Sequence, residues 1–220
     1  MRSAWLKTLS ERDWPGARRG FDGILSGPLL NRRAIIGQSL LHIAEGSLGE
    51  ATSLLLELLQ HSALSSRAAA LCYWTKYLAG EYREALDLIE EAKRSGHSGP
   101  VLDAVEALAS IRCENPEVYI ARIETVATDS AGHALLHGIL GYALALNGQI
   151  QRANEILDAT TREVDGTRGA DPYAIALILI ALGEKQEAVQ WLEQFCRVSP
   201  HWSIHQEMRD RKWIPHPDQS

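Results

Sequence analysis

The chain has 220 residues, of which 45% are hydrophobic and 23% are charged, and these proportions are typical of a soluble folded protein. Its formal net charge of −6 argues against a general nucleic-acid binder, since such proteins usually present a basic surface. The three cysteines form no CxxC pair, so they favour neither a zinc site nor a disulfide framework and are typical of a reducing, cytoplasmic setting. No run has the length of a membrane helix, and the first residues lack the apolar stretch of a signal peptide, so we expect no membrane partner.

One position recurs along the chain at a step of 34 or 35 residues. The residues at this position are Ala17, Ala51, Ala85, Tyr119, Ala153 and Ala188. An apolar residue follows each of them four positions later: Phe21, Leu55, Ile89, Ile123, Leu157 and Leu192. This agreement predicts six repeats, with boundaries at 1–31, 32–65, 66–99, 100–133, 134–168 and 169–202.

Each repeat is predicted to be a pair of antiparallel helices. Apolar residues within a repeat are spaced three and four apart, which is the helical period. In four repeats a glycine stands in the middle, where the chain leaves one helix and reverses: Gly46, Gly80, Gly148 and Gly183. The first and fourth repeats instead have Asp13-Trp14-Pro15 and Asn115-Pro116-Glu117, in which a capping side chain and a proline start the second helix.

The fifth and sixth repeats carry a recognisable pattern of small residues and turn glycines. The matching residues are Leu140-Gly141, Gly148 and Ala153 in the fifth repeat, and Ala176, Leu182-Gly183, Ala188 and Pro200 in the sixth. In these residues and in its length the repeat resembles the tetratricopeptide repeat (TPR). The resemblance covers about residues 1–202 and implies an all-α, right-handed α-solenoid of six antiparallel helix pairs, with residues 203–220 as a capping tail. Residues 173–202 also resemble the final repeats of bacterial proteins that append such arrays to regulatory or kinase domains.

The fourth repeat departs from this pattern. Glu114 stands where other repeats have the turn glycine, and Tyr119 stands where they have alanine. Overpacking at such a position costs about 1–3 kcal/mol unless neighbours move aside. We therefore expect a local splay or a change in superhelical pitch near residues 107–120, with Ala107 providing room.

The TPR resemblance implies that the first helix of each repeat lines a concave groove. Apolar and aromatic residues occupy most of the corresponding positions, with two arginines near the N-terminal mouth. The predicted partner-binding residues are Arg33, Leu40, Arg67, Trp74, Tyr77, Leu108, Tyr142, Tyr173 and Leu177. Some family members hold a terminal carboxylate there with Lys, Arg and Asn, and we expect no such clamp because the matching positions are apolar or aromatic. An alternative interpretation remains open: the same residues pack helix against helix inside the solenoid.

The sequence therefore favours a protein-protein interaction scaffold or chaperone-like adaptor that binds an apolar or amphipathic peptide. A regulatory or sensor module that binds a small peptide or an apolar ligand is the first alternative. A metal-dependent enzyme is the second, with a site at His133 and His137 or at His201, His205 and Glu207. The histidine spacings alone are weak, and the Glu of an HExxH motif is absent, so we predict no catalytic residue, metal or cofactor. An open N-terminal end also predicts self-association.

Overall fold

The computed structural model describes residues 13–27, 31–61, 66–129, 134–162 and 171–198, and all secondary structure in these ranges is α-helical. The helices are α1 (Trp14–Leu25), α2 (Arg32–Glu45), α3 (Leu48–His61), α4 (Ser66–Leu78), α5 (Tyr82–Arg94), α6 (Pro100–Cys113), α7 (Pro116–Asp129), α8 (Ala134–Leu146), α9 (Ile150–Arg162), α10 (Pro172–Leu182) and α11 (Lys185–Val198). They form two compact units: unit 1 contains the described residues up to Glu81, and unit 2 contains Tyr82–Val198. The predicted all-α class is confirmed.

The starts of the second helices follow the repeat step found in the sequence. The second helices of the predicted repeats begin every 34 or 35 residues, at Trp14, Leu48, Tyr82, Pro116, Ile150 and Lys185. First helices begin at Arg32, Ser66, Pro100, Ala134 and Pro172. The first helix of the first predicted repeat and the predicted capping tail, residues 203–220, lie outside the described residues. The number of six repeats and the handedness of the solenoid stay predictions.

The mid-repeat glycines end the first helices as expected. Gly46, Gly80, Gly148 and Gly183 have φ values of 80°, 78°, 74° and 87°, the left-handed region that favours glycine. After Gly46, the N–H of Ser47 donates to the carbonyl of His42 at 2.8 Å, which satisfies a carbonyl that the helix end would leave without a partner.

The first and fourth repeats use side-chain caps, as the sequence predicts. Asp13 Oδ1 accepts from the Gly16 N–H at 2.8 Å at the start of α1. Asn115 Oδ1 accepts from the Glu117 N–H at 3.0 Å at the start of α7, and Glu114 before it is extended, with φ −111° and ψ 165°. Glu114 therefore needs no left-handed conformation, which explains how this turn forms without glycine.

Three apolar clusters of described residues contribute to the core of unit 1. Ala17 and Phe21 of α1 pack with Ala34 and Leu41 of α2. A second cluster lies near the turn between α2 and α3 and contains Ile43, Ala44, Leu48 and Ala51. The third cluster joins α2, α3 and α4 and contains Ile35, Ile36, Leu55, Leu58, Ala68 and Cys72. The recurring alanine and the apolar residue four positions after it thus lie in the core, as the repeat pattern predicts.

Unit 2 centres on α8 and α10, which pack closely against each other. Every residue of α10 from Ala174 to Leu179 is buried, as expected for a helix that is hydrophobic on all faces. The close approach depends on Gly138, because a Cβ built there would lie only 2.4 Å from the Cβ of Ala174.

The helix pair of the fourth repeat is less closely packed than those of the fifth and sixth repeats. Helices α6 and α7 contact each other less extensively than α8 and α9 or α10 and α11 do. Tyr119 of α7 is buried with 4% of its surface exposed, so the bulky residue is accommodated inside the unit. This arrangement agrees with the local splay expected where a tyrosine replaces alanine.

A partly buried ion-pair group fastens α5 to α6. Lys93 Nζ of α5 lies 3.1 Å from Asp103 Oδ1 and 2.6 Å from Glu106 Oε2 of α6. Burial acts to lower the pKa of Lys93, but the hydrogen bonds that it donates to Glu106 and Asp103 outweigh burial and the pKa is raised. The contribution to stability is therefore present below the ordinary lysine pKa and is lost as the pH rises through the raised pKa.

Replacing Lys93 by methionine should lower the free energy of unfolding by about 1 kcal/mol, because two partly exposed pairs are lost. Urea denaturation at neutral pH measures this loss. The matched control is Arg94→Met, which removes the same charge from an exposed position on the same helix. Equal effects of the two substitutions would show that the ion pairs contribute nothing beyond net charge.

Candidate functional site

Three aromatic side chains and one arginine from four successive helices of unit 2 form what we call the tyrosine cluster: Tyr82 of α5, Arg112 of α6, Tyr119 of α7 and Tyr142 of α8. The Cζ atom of Arg112 lies 5.4 Å from the centroid of the Tyr82 ring, a cation–π contact. Arg112 is exposed and Tyr82 is half-buried. Tyr119 and Tyr142 are buried, with 4% and 5% of their surfaces exposed. The cluster thus combines two buried phenols with an exposed guanidinium.

The electrostatics of the cluster keep its buried phenols neutral. Burial raises the pKa of Tyr142, the Arg112 guanidinium opposes this rise, and Tyr119 and Tyr82 add to it. Burial likewise raises the pKa of Tyr119. Arg112 has no carboxylate partner among the described residues, so its donors are available to an acceptor from another molecule.

Tyr173 lies at the start of α10 and belongs to the same unit. The Asp171 side chain caps this helix and accepts from the Tyr173 N–H at 3.0 Å. Burial, the Asp171 carboxylate and Tyr142 all raise the pKa of the Tyr173 phenol. The influence of Tyr142 shows that these two predicted site residues lie within electrostatic range of each other in unit 2.

Several predicted groove residues are core residues. Tyr77, Leu108, Tyr142 and Leu177 retain 8%, 3%, 5% and 4% of their surfaces exposed. Such residues pack helix against helix, which is the interpretation that the sequence left open. They can support a binding surface from below, but they offer little area to a partner directly.

The remaining predicted residues are more accessible or lie partly outside the described structure. Leu40 is partly buried and packs against two core clusters of unit 1. The Trp74 ring, also partly exposed, lies 5.5 Å from the Tyr77 ring at an interplanar angle of 31°. Arg33 is exposed at the start of α2, and the side chain of Arg67 lies outside the described residues.

Sequence reasoning missed Tyr82, Arg112 and the aromatic role of Tyr119. Tyr119 stands out in the repeat pattern, but only as a packing fault in the alanine position. Arg112 lies in the last turn of α6, directly after the apolar residue Ile111. The three residues belong to different helices, so no local spacing in the sequence brings them together.

The described residues contain no group of three or more His, Cys, Asp or Glu side chains placed to hold a metal ion. His137 Nε2 lies 3.4 Å from the Ala127 carbonyl and has a backbone partner there. His133, His201, His205 and Glu207 fall outside the described residues. Burial raises the pKa of the Cys72 thiol to about 11, so this cysteine is protonated at neutral pH and a poor nucleophile. In the part of the chain that the structure covers, no helix has both the length and the hydropathy to cross a membrane.

The described residues fold into an all-α structure of helix pairs, whose second helices begin every 34 or 35 residues along the chain. No family model matches the sequence, and no curated protein matches it either. Among solved structures the chain is similar to YrrB, described as a TPR protein with an unusual peptide-binding site, at 17% sequence identity. The match covers 87% of this chain and 97% of that one, with a TM-score of 0.49.

Proposed function

We propose that this chain is a protein-interaction module, a scaffold or adaptor, and that the tyrosine cluster of unit 2 binds a peptide segment carrying an acidic group beside an apolar side chain. The observation that carries this proposal is the exposed guanidinium of Arg112, held over the Tyr82 ring. A charged group already fixed on an aromatic surface loses less conformational freedom on binding than a mobile side chain does.

The chemistry of the cluster suits both the acidic group and the apolar side chain of such a peptide. The planar guanidinium presents paired N–H donors that match the two oxygens of a carboxylate. The ring of Tyr82 offers an apolar face, and the buried Tyr142 lies within electrostatic range of Arg112, Tyr82 and Tyr119. Aromatic and arginine side chains of this kind supply most of the binding energy at protein interfaces.

A selection of random 12-residue peptides displayed on phage, with the full chain as bait, tests the proposal. We expect the enriched peptides to contain Asp or Glu within a few residues of an aromatic or aliphatic side chain. Arg112→Gln should abolish the acidic preference and weaken binding of an enriched peptide by about tenfold, the effect of losing one charged anchor. Isothermal titration calorimetry on synthetic copies of that peptide measures the change.

Arg94→Gln is the matched control, because Arg94 is an exposed arginine at the far end of α5 from Tyr82. It should leave both the enriched sequences and the affinity unchanged. Selection of the same acidic peptides by wild type and Arg112→Gln would contradict the assignment of the site. Absence of any enriched peptide would contradict the peptide-binding function itself and would favour the small-ligand alternative.

A further inference from the structure

Five polar side chains connect α1 to α2 in unit 1, and we call this row the α1–α2 seam. Arg18 and Asp22 lie on α1, and Gln38, His42 and Glu45 lie on α2. Spacings of three and four residues put each set along one face of its helix. Arg18 Nη2 donates to Glu45 Oε2 at one end of the seam. Gln38 Nε2 donates to Asp22 Oδ1 at 3.0 Å at the other end. By its place in α2, His42 lies between these two links.

The seam lies beside an apolar cluster that also holds the two helices together. Ala17 and Phe21 of α1 and Ala34 and Leu41 of α2 are buried there. The apolar contacts do not depend on pH. A pH dependence of the packing between α1 and α2 must come from titratable groups, and the seam contains such groups.

His42 is placed so that protonation conflicts with this arrangement. Its Nδ1 atom is shielded from solvent and has no hydrogen-bond partner among the residues that the structure describes. An imidazolium carries an N–H on both ring nitrogens, so Nδ1 of the protonated ring is necessarily a donor. A buried donor without an acceptor is unfavourable, and the seam must rearrange to supply one.

Among the described residues, charged groups on α1, α2 and α3 act on His42. Burial lowers the pKa of His42, and the positive charge of Arg18 on α1 lowers it further. Glu45 on α2, Glu50 on α3 and Asp22 on α1 act in the opposite direction without reversing the shift. As the pH falls below the ordinary histidine pKa of about 6.5, the unfolded or detached helix binds the proton before the packed one does. The seam is therefore intact above that pH and weakens below it.

We propose that the α1–α2 seam is a pH-sensitive latch, in which a proton from solvent converts His42 to an imidazolium that takes Glu45 or Asp22 as its acceptor. When Glu45 accepts from His42 it leaves Arg18, and when Asp22 accepts from His42 it leaves Gln38. Either change removes one hydrogen bond between α1 and α2. The result is a loosening of α1, while α2 and α3 stay paired through their own apolar cluster. The latch lies in unit 1 and does not depend on the proposed peptide site.

Amide hydrogen exchange of the full chain between pH 7.5 and pH 5, corrected for intrinsic exchange rates, tests the latch. Protection of the α1 amides should fall by up to about tenfold for each pH unit below the ordinary histidine pKa, the slope expected of a single proton. His42→Gln, which keeps a polar side chain that does not titrate, should make α1 protection independent of pH in this range. His61→Gln, an exposed histidine at the end of α3, should behave like wild type.

An α1 protection that changes with pH in the same way in His42→Gln and wild type overturns the proposal. Equal loss of protection across α1, α2 and α3 also overturns it, because that result describes general acid unfolding. An NMR titration of the histidine rings in wild type provides a measurement that does not depend on a variant. The midpoint of His42 should lie below the ordinary histidine value of about 6.5, and a midpoint at or above that value contradicts the latch.

Discussion

Replacing Gly138 by alanine should lower the free energy of unfolding of unit 2 by about 2 kcal/mol or more, although alanine is the better helix former. The added methyl group would lie 2.4 Å from the Cβ, 2.6 Å from the Cα and 2.8 Å from the carbonyl oxygen of Ala174. Two of these are backbone atoms, so no side-chain rotation relieves the overlap. We expect the overpacking to cost about 3 kcal/mol and the helix propensity of alanine to return about 1 kcal/mol. Urea denaturation followed by far-UV circular dichroism measures the difference.

Gly23→Ala is the matched control, since Gly23 is also a helical glycine but is exposed, with no atom within 4 Å of an added Cβ. This substitution should stabilise the protein by about 0.5–1 kcal/mol. Gly141→Ala should fall between the two, because its closest neighbours are Ile178 and Ile156 side-chain atoms at 2.7–3.2 Å, which can shift. A neutral or stabilising Gly138→Ala would show that α8 and α10 do not approach as closely as described.

The sequence predicts the repeat architecture well because the features that define it are local. A left-handed turn needs glycine at one position, so Gly46, Gly80, Gly148 and Gly183 reveal four helix ends directly. A small residue that recurs where helices cross closely reveals the core, and Ala17, Ala51, Ala85 and Ala153 are fully buried. The role of Gly138 is less visible in the sequence, because its partner Ala174 belongs to the next repeat.

The candidate site is harder to predict because it depends on how far side chains reach between helices. The repeat pattern places Tyr142 on a groove wall, but the residues around it bury most of its ring. Arg112 carries no mark in the sequence that separates it from other surface arginines. Only its contact with Tyr82, 30 residues earlier in the chain, identifies it as fixed and available. For the same reason the groove residues could be proposed from sequence but not sorted into core and surface.

Tyr119→Ala restores the alanine found at this position in the other repeats, yet we expect it to destabilise unit 2 by about 3 kcal/mol. Tyr119 is buried, and α6 and α7 pack around it less extensively than α8 packs on α9 or α10 on α11. The two helices are already arranged to accommodate a tyrosine, so removing the ring leaves a cavity that they cannot fully close. Losses of about 3–5 kcal/mol are usual when a large buried aromatic side chain is replaced by alanine.

Two further variants test whether the lost volume of the ring causes the destabilisation by Tyr119→Ala. Tyr119→Phe keeps the ring and removes only the hydroxyl, so it should cost about 1 kcal/mol or less. Ala153→Tyr makes the opposite change in α9, where the alanine is fully buried, and should destabilise that helix pair by overpacking. If Tyr119→Ala instead left the stability unchanged or raised it, α6 and α7 would have to close onto the smaller side chain. The fourth repeat would then share the packing of the fifth and sixth repeats, and its looser helix pair would be an effect of the tyrosine side chain alone.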